Sequence, residues 1–258
     1  MTAIAWGRKL AIAAGLPAVL VGIWWLATAG STSVYWPPLS TVLETFAPTW
    51  LEGRLTSDVL PSLLRLAAGY ALALALGTAL GTVIGSWPTV RALTEPALEF
   101  FRAIPPPVLV PIFILFAGIG DGMKILVIMV GSVWPILLNT VEGVRSIDEV
   151  LRDTARCYRF RRRTRLVQLV LRGASPRIVT GARQALSIAI ILMVISEMFA
   201  ATNGLGFSIV QFQRSFAIPQ MWSGIILLGL IGVALSLIFR ACEARVLAWY
   251  QGQRAAQR

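Results

Sequence analysis

The feature that most constrains this chain is the spacing of its charges. Asp, Glu, Lys and Arg collect between apolar runs that are each roughly as long as a bilayer is thick. A charge at mid-membrane costs about 2.5–3.5 kcal/mol, so long runs without charge mark segments that lipid can accept. A helix crosses the hydrocarbon in about 20 residues. On that measure residues 10–29, 62–86, 103–120, 123–142, 180–201 and 219–240 are expected to cross, as six helices of one membrane domain covering residues 1–258. Composition agrees: 57% of residues are hydrophobic and 14% charged, with a mean hydropathy of +0.75. Soluble domains run nearer 45–50% and about 25%.

The distribution of Lys and Arg orients the domain, because positive loops stay cytoplasmic. One set of loops holds Arg8, Lys9, Arg91, the arginines of residues 145–177, and Arg240, Arg245, Arg254 and Arg258. The alternating set holds only Arg54, Lys124 and Arg214. Both termini are therefore expected in the cytoplasm, and the first apolar run is read as a retained helix rather than a cleaved signal. The same rule explains the net charge of +11. The arginines lack the aromatic interleaving of a nucleic-acid groove, and no nucleic-acid partner is expected.

Several chemistries are excluded by absence. There is no His, and the two cysteines, Cys157 and Cys242, form no CxxC, which removes the usual zinc ligand sets and His-dependent hydrolysis. Lys9 and Lys124 are the only lysines, and neither follows a glycine-rich phosphate-binding turn. The chain is expected to bind no cofactor.

Within the second span Gly69, Ala73, Gly77, Gly81 and Gly85 recur at four-residue intervals, so a neighbouring helix can approach closely. That neighbour is expected in the same bundle, with a dimer interface as the alternative. Pro105, Pro106, Pro107 and Pro111 interrupt the third span, and Pro135 follows Trp134 in the fourth. Such breaks free backbone carbonyls and are either gate elements or simply shape the bundle. Residues 31–58 are expected outside, with 39–51 as an amphipathic helix along the outer surface.

Residues 145–177 carry ten arginines against three acids and pattern as two short amphipathic helices, 150–158 and 166–171. Such a loop docks on a cytoplasmic partner or on anionic lipid. Glu197 is the one carboxylate near the interior of a span, and an ionisable group there is a functional candidate. Its alternative is structural, a hydrogen-bonded link to a neighbouring helix or to the turn at 203–206. Ser132, Trp134, Asn139, Gln184, Ser187 and Ser196 join it as candidates for lining a translocation path, or for hydrogen-bonding between helices.

At this point the chain resembles a known family. Phe101-Arg102-Ala103-Ile104-Pro105-Pro106, with Gly118-Ile119-Gly120-Asp121 and Lys124-Ile125, is similar to the Arg-x-x-Pro-Pro…Phe-Gly-Ile-Gly…Lys-Ile stretch of permease subunits of ATP-binding-cassette importers. The group in question serves nitrate, sulfonate, taurine and bicarbonate. Glu197-Met198-Phe199-Ala200-Ala201-Thr202-Asn203-Gly204-Leu205-Gly206 resembles the same group's Glu-x-x-Ala-Ala-x-x-Gly-Leu-Gly stretch. The resemblance implies an all-α membrane protein with the fold of a type I importer transmembrane domain. It also implies residence in the bacterial inner membrane, a second permease copy or paralogue, separate ATPase subunits, an extracytoplasmic solute-binding protein, and contact with membrane lipid. Cargo would be a small anionic or organic solute moved by alternating access; an ion-gradient-driven carrier is the alternative.

The resemblance further implies that 145–177 is the loop that couples to the ATPase. Asp153-Thr154-Ala155 stands where the family has Glu-Ala-Ala, followed by Arg156, Tyr158, Arg159, Phe160, Arg161, Arg162 and Arg163. Arg159 occupies the expected glycine and Leu171-Arg172 the expected Leu-Pro, while Gly173, Ser175-Pro176 and Thr180-Gly181 fit again. An arginine resists the left-handed conformation that glycine adopts at a helix break, so the two loop helices are expected to meet at an altered angle.

Overall fold

The computed structural model describes residues 3–199, 201–250 and 252, with side chains from residue 15 onward; Ala200, Arg254 and Arg258 and the side chains of Arg8 and Lys9 lie outside this description. The described residues are helical or irregular, with no strand. Helix α1 (Ala3–Thr28) leads to α2 (Leu39–Phe46), which winds through π-helical turns at Ala47–Gly53 and Leu55–Val59 into α3 (Leu60–Ser86). Next come α4 (Pro88–Ala103), a 3-10 turn (Pro106–Leu109), α5 (Val110–Ala117) and α6 (Asp121–Arg145). The loop holds α7 (Glu149–Cys157) and the short α8 (Arg162–Thr164), which continues through a π segment (Arg165–Leu171) into α9 (Arg172–Phe199). The chain closes with α10 (Leu205–Arg214) and α11 (Ile218–Val246).

Among the described residues four stretches are long and apolar enough to cross a membrane: Leu55–Ser86, Asp121–Arg145, Arg162–Phe199 and Ile218–Val246. The stretch expected as one span at 103–120 is not a single helix. Helix α4 and the segment Pro106–Ala117 meet at 86°. Ile104 and Pro105 are extended, at ψ 119 and 123. Each precedes a proline, whose ring excludes the helical conformation from the residue before it.

The glycine stripe of α3 lies against α6. A Cβ built on Gly69, Gly77, Gly81 or Gly85 would come within 2.7, 2.9, 2.6 and 2.8 Å of Ile128, Ile136, Thr140 and Val144 respectively. Hydrogen is the only side chain that permits this approach, so the helices share one bundle. Every pair has the same separation of 59 positions (128 − 69, 136 − 77, 140 − 81, 144 − 85), which means that α3 and α6 run parallel. Two adjacent parallel helices require the connection between them to return along their length, and the bent α4–α5 pair lies in that connection.

The remaining helices alternate in direction. Gly181 of α9 faces Asn139 while Gly143 of α6 faces Arg177, so α9 is antiparallel to α6. Arg183 pairs with Glu243, and Leu186 shares a crevice with Leu235 and Ile238, which makes α11 antiparallel to α9. The end of α1 meets the start of α11 through Trp24 and Trp222, with ring centroids 5.5 Å apart. The core is made by Met123, Val127 and Ile128 of α6 against Leu192 and Met193 of α9 and Leu205 of α10. Helix α2 and the following turn bury Leu39, Val42 and Trp50, and Trp50 Nε1 donates to Ser223 Oγ of α11 at 2.9 Å. This segment is clamped to the bundle on at least one face.

Candidate functional site

Glu197 closes the end of α9 and is 0% exposed. A bare carboxylate in that position would be prohibitively costly, so its oxygens must be satisfied. Oε1 accepts from Arg65 Nη1 at 2.9 Å and lies 2.7 Å from Ser62 Oγ; Oε2 accepts from the Gly206 backbone N–H at 3.0 Å. Arg65, 4% exposed, is itself engaged on several sides. Its Nε donates to Asp121 Oδ1 at 2.8 Å and its Nη2 to Asn203 Oδ1 at 2.6 Å. Lys124 Nζ sits 3.7 Å from the same Asp121 oxygen. Asp58 Oδ1 accepts from the Gly204 N–H at 2.8 Å. One charged cluster thus ties α3, α6, α9 and the 203–206 turn together.

The turn's sequence follows from this. Gly204 has φ +121, a region that L side chains avoid, and a Cβ there would lie 2.5 Å from the Glu197 carboxyl carbon. At Gly206 a Cβ would strike the Val194 carbonyl oxygen. The Gly-Leu-Gly pattern is what lets the chain fold over the carboxylate. Arg65, Ser62 and Asp58 are participants that the sequence does not single out. The available signal was an arginine inside the first turns of an apolar run, a placement that requires a partner.

The path candidates do not share one surface. Ser132, Ser196 and Glu197 are buried, Trp134 and Asn139 half-buried, and Gln184 and Ser187 exposed. Ser196 Oγ donates to the Met193 carbonyl at 2.9 Å, while Ser132 Oγ has no partner among the described residues. Asn139 of α6 and Gln184 of α9 do meet, with Nδ2 donating to Oε1 at 3.3 Å. Together with Ser187 they place polar groups, half-buried on α6 and exposed on α9, on two long apolar helices.

In the loop, Asp148 Oδ1 accepts from the Val150 N–H at 2.8 Å and caps α7. Only Ala155 of that helix is buried; Asp153, Thr154, Arg156, Tyr158, Arg159, Phe160, Arg161, Arg162 and Arg163 are exposed. Helix α7 then ends as a glycine-terminated helix would. Arg159 adopts φ 48, its N–H bonding the Arg156 carbonyl and that of Phe160 the Ala155 carbonyl, both at 3.0 Å. The expectation that arginine would refuse this conformation is corrected: the paired end-of-helix bonds hold it there, at a cost of about 1–3 kcal/mol. Nor is the second loop helix separate. Residues 166–171 belong to the continuous stretch Arg162–Phe199, which passes Arg172 without a break. With no proline at 172, no backbone donor is lost there.

Comparison with known proteins agrees with this architecture. Residues 73–248 match the model of the binding-protein-dependent transport system inner membrane component. The chain is 32% identical over 234 residues to a probable ABC transporter permease protein of Brucella abortus, covering 91% of this chain and 93% of that one. It is 30% identical over 250 residues to the taurine transport system permease protein TauC of Escherichia coli, covering 94% and 91%. With the putative aliphatic sulfonates transport permease protein SsuC of Bacillus subtilis it shares 30% over 244 residues, covering 92% and 88%. In fold it is similar to a chain of the MetNI methionine ABC transporter in inward-facing conformations, with a TM-score of 0.60 at 19% identity, covering 73% of this chain and 94% of that one. The model match over two thirds of the chain and the near full-length relatives lead to one conclusion: this chain belongs to the family of binding-protein-dependent transport system inner membrane components, the non-catalytic permease subunits of ATP-binding-cassette importers.

Proposed function

We propose that two such subunits, a pair of copies or one copy with a paralogue, enclose a path for a small anionic or organic solute, and that ATP binding and hydrolysis in separate subunits drive its import by alternating access. The observation that carries this is the polar set of half-buried Asn139 and exposed Gln184 and Ser187 on membrane-length helices. Lipid does not hydrogen-bond such groups, whereas a shared path between two subunits does. The cargo class follows from the names of the sulfonate and taurine relatives. Charges inside the bundle are engaged in the Glu197–Arg65 cluster instead of standing open as an ion-gradient carrier would use them.

Both termini and residues 145–177 face the cytoplasm, where α7 and the exposed Arg161 and Arg163 engage the ATPase subunit, which holds ATP and Mg. A solute-binding protein docks on the opposite face of this inner-membrane, multi-pass protein. The long unbroken stretch Arg162–Phe199 is a rigid lever suited to carrying ATPase closure to the path. Uptake by proteoliposomes holding the partner subunits is expected to require ATP and to survive an ionophore; ATP-independent, ionophore-sensitive uptake overturns the proposal. Arg161→Glu with Arg163→Glu is expected to lower ATPase co-purification several-fold with membrane insertion intact. Unchanged co-purification removes those two side chains from the docking surface.

A further inference from the structure

We infer that the cleft between the end of α3 and the start of the Arg162–Phe199 helix is a binding site for the head group of an anionic phospholipid. The cleft is a cavity of about 620 Å³. Arg162 and Arg165 stand on one wall, and among the described residues neither has an acidic partner. Every other ion pair in this part of the molecule is formed within one short stretch, such as Arg145–Glu142 or Arg156–Asp153. These two guanidinium groups therefore keep their full capacity for a phosphate. The opposite wall contributes the short polar residues Thr82 and Ser86.

The rest of the lining selects a lipid over a soluble anion. Val83, Leu166 and Val170 present apolar surface beside the cations, as an acyl-glycerol backbone requires. Trp87 stands at the mouth, 56% exposed, just past the last residue of α3. Tryptophan in that position marks the head-group level of a bilayer. Charge, apolar wall and interfacial tryptophan thus converge on a phosphate carried by an amphiphile.

The site rests on the cytoplasmic placement of residues 145–177 only for which leaflet supplies the lipid. Its test is therefore made in detergent, where sidedness plays no part. The full chain, purified in a neutral detergent and titrated with phosphatidylglycerol, is examined by native mass spectrometry, with phosphatidylcholine and inorganic phosphate as parallel probes. One phosphatidylglycerol per chain is expected, with affinity falling about twenty-five-fold in R162Q/R165Q on the basis of about fivefold per arginine. R161Q/R163Q, which removes equal charge outside the cleft, is expected to leave binding within twofold. Equal losses in the two arginine pairs would reduce the effect to general charge and overturn the site. So would equal retention of phosphatidylcholine, or displacement of the lipid by inorganic phosphate at millimolar concentration. A separate labelling experiment that placed 145–177 outside would refute the orientation and leave this result standing.

Discussion

Replacing Glu197 by Gln keeps the size of a fully buried side chain and deletes the charge that faces Arg65. The wild-type carboxylate sits 2.7 Å from Ser62 Oγ and accepts from Arg65 at 2.9 Å and Gly206 at 3.0 Å. Bonds to a charged group contribute about 1.5–3 kcal/mol each against about 1 for neutral ones. Arg65 would retain Asp121, but that carboxylate is 66% exposed and correspondingly screened. Stranding one member of a buried pair costs about 3–5 kcal/mol. At about 2–4 °C per kcal/mol for a chain of this size, melting should fall by roughly 10 °C. Arg65→Gln should cost a similar amount. The double variant, whose two amides can bond each other, should lose at least about 2 kcal/mol less than the sum. Thermal unfolding of the detergent-purified chain, followed through its nine tryptophans, provides the readout. Additive losses, or single-variant losses under about 1 kcal/mol, would show that the pair does not hold these helices together.

Further outcomes test the packing and the loop. Gly81→Ala places a Cβ 2.6 Å from Thr140 and 2.7 Å from the Leu137 carbonyl oxygen, so it should destabilise by about 1–3 kcal/mol despite alanine's better helix propensity. Gly232→Ala, with nothing within 4 Å of its Cβ, should not destabilise; equal melting of the two variants would argue against the α3–α6 contact. Arg159→Gly relieves a left-handed arginine and should stabilise the end of α7 by about 1 kcal/mol, seen as slower amide exchange at Phe160, whose N–H makes the terminal bond. Faster exchange there would mean that the arginine side chain contributes more than its backbone conformation costs.

How much of this was legible in the sequence differs from one element to the next. The burial of α3, α6, α9 and α11 in a membrane follows from the transfer cost of charge, which is read locally along the chain. The small-residue stripe of α3 likewise announces a close neighbour, because a four-residue period is a property of one helix. The name of that neighbour, α6 in parallel, is not local. It depends on how the 59 intervening positions fold, including the 86° break that proline chemistry allowed but whose direction it did not set. Arg159 was misjudged because propensity speaks for an isolated residue, and two backbone bonds at a helix end outweigh it.

By itself, then, the sequence determined that the chain carries several lipid-compatible helices, which loop is basic and where the Glu197 and Gly-Leu-Gly motifs lie, since each depends on residues close together in the chain. Only the tertiary structure decided what the motif does. Arg65 and Glu197 stand 132 positions apart, and their meeting at 2.9 Å is set by the packing of α3 against α9. Electrostatic partners are chosen by distance in space, and no spacing along a single chain encodes that distance.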